Sequence, residues 1–121
     1  MNIRIGADGD KNCHVTITGL LSAPFPSHES ILFFKDLKGS PQRLRLDGLQ
    51  FAIQEKMCFQ LWWILNANHE IILPVESRGG FDFEKIKPVS SPDGALGLSL
   101  TVSKVTEKNM AFLIMLDLTK Q

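Results

Sequence analysis

The sequence predicts a mainly β domain: an antiparallel sandwich or partly open barrel of about eight short strands, with at most one short helix. Three observations point there. Apolar and polar residues alternate along one segment after another, and Gly, Pro, Asn, Asp and Ser gather between those segments. Only one stretch, 48–57, carries an apolar stripe at helical spacing, and it would make the fold α+β if it formed. A chain of 121 residues suits a single globular domain, 1–121, large enough for one core and too small for two.

In chain order, Ile3 and Ile5 alternate with Asn2 and Arg4, and Cys13, Val15 and Ile17 alternate with His14, Thr16 and Thr18. These are two strands joined by the turn formers of 6–12. Pro24 and Pro26 cannot donate to an interior ladder, so 22–30 is expected to be a loop. The run Ile31-Leu32-Phe33-Phe34 reads as a short buried strand, and Gln42 to Leu46, with its leucines on one face and arginines on the other, as a half-buried one.

Periodicity does not settle 47–57. Gln54-Glu55-Lys56 contains no turn former and favours helix, and Asp47 stands three before Gln50 in a capping arrangement, so the helix is preferred. The competing strand would use Asp47-Gly48 as a tight hairpin turn.

The most apolar stretch runs from Met57 to Glu76 and holds both tryptophans. Strand geometry puts Met57, Phe59, Leu61, Trp63 and Leu65 on one face. A hairpin around Asn68 would then set Leu65 against Ile71, Trp63 against Leu73 and Leu61 against Val75. Farther on, Arg78-Gly79-Gly80 is a turn, Phe81 to Glu84 a strand and 88–94 a loop. Leu96, Leu98, Leu100 and Val102 then alternate with small polar residues. They are expected to form a second hairpin with the last run, pairing Val102 with Phe112, Leu100 with Ile114, Leu98 with Leu116 and Leu96 with Leu118. Residues 110–116 are apolar on both faces, which predicts a central or doubly covered strand.

Composition narrows the function classes. Formal net charge is zero and 21% of residues are charged, which argues against a disordered polyelectrolyte and against a nucleic-acid binder held by bulk charge. No run reaches the ~20 apolar residues of a membrane helix and no secretory signal opens the chain, so the expectation is a cytoplasmic protein without a membrane partner. Cys13 and Cys58 are too few for a disulfide framework and are read as reduced, partly buried thiols.

The motifs are weak. Asp8-Gly9-Asp10-Lys11-Asn12 begins like a calcium loop, yet Cys13 stands where that loop needs glycine and Gly19 where it needs a bidentate glutamate, so it reads as an ordinary hairpin loop. His14, His28 and His69 are scattered, and Ser27-His28-Glu29 is a contiguous trio that lacks a positioned nucleophile. The basic group Lys35, Lys38, Arg43 and Arg45 is diluted by Asp36 and Asp47 and reads as a solvated face. Catalytic residues, metal ligands and cofactors are therefore not assigned.

One feature resists a purely structural reading. On the second face of the tryptophan hairpin, Trp62, Ile64, Ile72 and Pro74 form a patch too apolar for an idle surface. The expected function is a non-enzymatic interaction or structural domain, a homo-oligomer or protein binder through those four residues. The alternative is a small-molecule-binding β-barrel with Trp62, Glu76 and Arg78 at the ligand, and an enzyme of unknown class is third.

Overall fold

In the computed structural model, residues 2–21, 25–53, 57–76, 80–84, 86–105 and 110–121 are described. They form ten strands: β1 (Asn2–Asp8), β2 (Asn12–Leu21), β3 (Phe25–Phe33), β4 (Leu44–Ile53), β5 (Met57–Ile64), β6 (His69–Glu76), β7 (Gly80–Glu84), β8 (Val89–Ser90), β9 (Gly97–Val105) and β10 (Met110–Lys120). A single 3-10 turn, Phe34–Asp36, follows β3. There is no α-helix among the described residues.

The strands make two antiparallel sheets. The first has the order β1-β2-β10-β4-β7, with short β8 also paired to β4, and the second has the order β3-β9-β5-β6. They face each other as a sandwich and do not close into a barrel. The pairs nest: β5 with β6 at the centre, β4 with β7 and β8 outside them, then β3 with β9, then β2 with β10. Successive nested pairs alternate between the sheets. This is the double Greek-key order of a jelly roll, a long hairpin wrapped around its own core.

That topology corrects the expected second hairpin. β9 pairs with β3 and β5, whereas β10 pairs with β2 and β4, so the two strands lie in opposite sheets. Their apolar rows face inward from the two sides: Leu98, Leu100 and Val102 against Phe112, Ile114, Leu116 and Leu118, all buried. Leu96 is exposed instead. The central position expected for 110–116 holds, because β10 is hydrogen-bonded on both edges.

The expected helix at 48–57 is also corrected, together with the turn at Asp47-Gly48. β4 takes up 48–53 and Met57 opens β5, while 54–56 lie outside the described residues; β4 carries a bulge at Asp47, where Asp117 pairs with Gly48 and Leu118 with Leu46. A bulge adds one residue and shifts the inward phase, so Leu44 and Leu46 point inward before it and Leu49 and Phe51 after it. The Asp47 carboxylate takes the Arg45 Nε hydrogen bond at 2.6 Å and that of the Thr119 hydroxyl, so it is satisfied without a helix to cap.

The loop expected over 22–30 is replaced from Phe25 onward by β3. Pro26 is tolerated there because β3 is an edge strand. Among the largest fully buried side chains are Trp63, Phe51 and Phe59. Phe51 of one sheet meets Phe59 of the other edge to face, with centroids 5.6 Å apart.

Candidate partner-binding face

The β5–β6 hairpin forms, but in a different register from the one the apolar pattern suggested. Phe59 pairs with Val75 and Leu61 with Leu73; a bulge follows, after which Trp62 pairs with Ile71, Trp63 with Glu70 and Ile64 with His69. The extra residue is Ile72. Before the bulge Leu73 of β6 packs against the core opposite Leu61, and beyond it the phase is reversed, so His69 and Ile71 share the outer face with Trp62.

Trp62 lies on that outer face, half-buried and held from two sides. Its indole Nε1 donates to Thr101 Oγ1 at 3.0 Å, and the Thr101 hydroxyl donates onward to Gln60 Oε1 at 2.7 Å. His28 of β3 meets the indole edge to face at 4.9 Å and stacks on His69 at 3.7 Å, with 11° between the imidazole planes. His28 Nδ1 also lies 3.2 Å from Ser99 Oγ. Three strands other than β5 thus contribute to one aromatic group. Its rings cover Ser99 and Thr101, which are buried polar residues satisfied by these contacts.

The stack bears on protonation. Burial, and after it the neighbouring His69, hold His28 below the ordinary imidazole value of 6.5. Two stacked imidazoles do not readily carry charge together. His28 is therefore held toward its neutral form.

The four residues expected at the interface divide. Trp62 and Pro74 reach the outer surface, Pro74 exposed on the edge strand β6, where its missing N–H costs least. Ile64 is only 9% exposed, and Ile72 is half-buried against the core. Their place is taken by Ile71, 47% exposed beside Trp62. Of the alternative ligand set, Glu76 pairs through its backbone with Cys58 and Arg78 lies outside the described residues. His28, His69 and Ile71 were missed because the register shifts of β3 on β9, on either side of Glu29 and Ser30, and the Ile72 bulge in β6 leave no mark on hydropathy.

The other sequence candidates have structural partners. Asp8 accepts from the Lys120 ammonium and from Lys38 N at 2.8 Å, and Asp10 pairs with the Lys38 ammonium at 2.9 Å, so lysines occupy the acidic hairpin loop. Lys120 also donates to Gly9 O and Lys38 O at 2.6 and 2.8 Å, which ties the β1–β2 loop to the chain end. The hydrogen bond from the Lys120 ammonium to Asp8 is the main reason that carboxyl stays below its usual 3.8. His14 is paired to Asp117 on the neighbouring strand. Burial pushes the Cys13 thiol up to about 11, which makes it unreactive at neutral pH. Among the described residues no group of three or more His, Cys, Asp or Glu could hold a metal ion, and no helix is long and apolar enough to cross a membrane.

No protein-family model matches this chain, and a search of the curated proteins found no match to it. A jelly roll serves many unrelated functions, so the fold leaves the reading to the site.

Proposed function

We propose that this domain is a non-catalytic interaction module that associates with a second copy of itself through the outer face of β5 and β6, with Trp62 as anchor. One observation carries the reading: Trp62 is immobilised by its bond to Thr101 beside the exposed Ile71 and Pro74. A fixed aromatic side chain loses little conformational freedom on docking, and rigid tryptophans are frequent anchors of interfaces. Zero formal net charge leaves no long-range repulsion between copies. A two-fold axis near Trp62 would place Ile71 and Pro74 of one copy against the same residues of the other, the self-complementary arrangement of most dimers.

The test is mass by light scattering over a wide concentration range, for the natural chain and for Ile71→Glu. Ile71 is exposed, so the substitution leaves folding intact and places a charge in the interface. The natural chain is expected to rise in mass with concentration and the variant to stay monomeric. A natural chain that remains monomeric throughout would refute the proposal.

A further inference from the structure

A second candidate site lies away from the Trp62 face, at the end of the sandwich where the segment after β3 meets the segment before β9. There a groove of about 550 Å³ opens. That volume falls in the range of small-molecule sites.

Its floor is apolar: Phe33, Phe34, Ala95 and Leu96. Phe34 and Ala95 are buried, whereas Leu96 is 47% exposed, a large apolar side chain left open to the groove. The walls are fixed by backbone bonds. Phe34 N donates to Leu96 O at 2.9 Å, Leu96 N to Ile64 O at 2.7 Å, and Ser40 N to Leu37 O at 2.9 Å. Ser40 of one wall has a positive φ of 42°, following Gly39 at 80°. Glycine accepts that conformation freely and serine does not. Ser40 is held in it by a turn that folds the wall back, with its hydroxyl donating to Lys35 O at 3.2 Å. Strained backbone of this kind collects at binding sites.

The rim is cationic. Of the charged residues lining the groove, Lys35 and Arg43 are positive and Asp93 negative, a balance of +1. Arg43 is bridged to Asp93 across the mouth, and both side chains are well exposed, so that pair can yield to a competing anion. Lys35 makes no salt bridge among the described residues; its ammonium lies 5.9 Å from the Phe33 ring centroid, at the edge of the apolar floor.

We infer that this groove binds a small amphiphilic monoanion, with the apolar body on Phe33, Phe34 and Leu96 and the anionic group at Lys35 and Arg43. The shared chemistry covers medium-chain fatty acids and aryl carboxylates. The inference is independent of self-association, since the groove shares no residue with the Trp62 face.

Isothermal titration of the full chain with decanoate, phenylbutyrate, decanol and decyltrimethylammonium tests it. Saturable one-to-one binding of the carboxylates is expected, at least tenfold tighter than the alcohol, with none for the cation. The stronger carboxylate identifies the source as acyl or aryl. Lys35→Glu, at an exposed position, should weaken decanoate at least tenfold with the thermal midpoint unchanged, and Leu96→Trp should abolish binding by filling the groove. Equal binding of decanoate and the cation, no binding of either carboxylate, or full affinity in Lys35→Glu would overturn the inference.

Discussion

Trp62 and Trp63 are sequence neighbours with opposite roles, because adjacent side chains on a strand point to opposite faces. Trp63 is 2% exposed and packs edge to face on Phe34, at 6.2 Å, within the core. That division was legible from alternation alone, whereas the partners of Trp62 were not. The Thr101 hydroxyl links Trp62 to Gln60, so Thr101→Val leaves a half-buried donor without its acceptor. It should cost about 1–3 kcal/mol in urea unfolding, while Thr101→Ser, which keeps the hydroxyl, should cost less. His28 adds a pH dependence. Its folded value is depressed, so the unfolded chain binds its proton more readily. The resulting stability is fully present above the unfolded value of about 6.5 and is lost as pH falls from there to the lower folded value. The thermal midpoint should therefore drop on acidification through that window, and drop less in His28→Asn. Identical pH profiles for the two proteins would contradict the account.

At the scale of elements, the strands were legible and their phase was not. Alternation located β2, β5, β9 and most of β10, since a two-residue period has no other simple cause. The errors fall at bulges. Ile72 in β6 inserts one residue and shifts the hairpin register, and Asp47 in β4 inserts another in a strand where the lack of turn formers at 54–56 and the Asp47–Gln50 spacing had favoured a helix. Proline misled in the opposite direction, because Pro26 lies in a strand at a sheet edge. Gly97 is constrained by close approach: an added Cβ would collide with the Leu32 carbonyl oxygen and crowd Phe33. Gly97→Ala should force β3 away from β9 and cost about 1–3 kcal/mol, as overpacking does, measurable as a lower denaturation midpoint at unchanged slope.

For the whole molecule, composition and turn spacing were enough to give an antiparallel sandwich or partly open barrel, of which the sandwich is the one formed, but not its order of strands. A jelly roll sends β9 and β10 to opposite sheets, yet both rows still point inward, so a hairpin and a sandwich predict the same buried residues. Hydropathy reports the face a residue takes and is silent on which strand lies beside it. The same limit hid the candidate site, whose histidines come from the two opposite edge strands of one sheet. Association through this face should weaken as pH falls below the ordinary imidazole value of 6.5, because protonating His28 would bring a charge into the interface.

Whether a second copy covers Trp62 can be read directly by acrylamide quenching of tryptophan fluorescence as the protein is concentrated. Trp63 is shielded by the core at every concentration, so the quenchable signal belongs to Trp62. Self-association predicts that quenching declines as concentration rises, and that the decline is absent in Ile71→Glu. Quenching that stays constant across the range would contradict it.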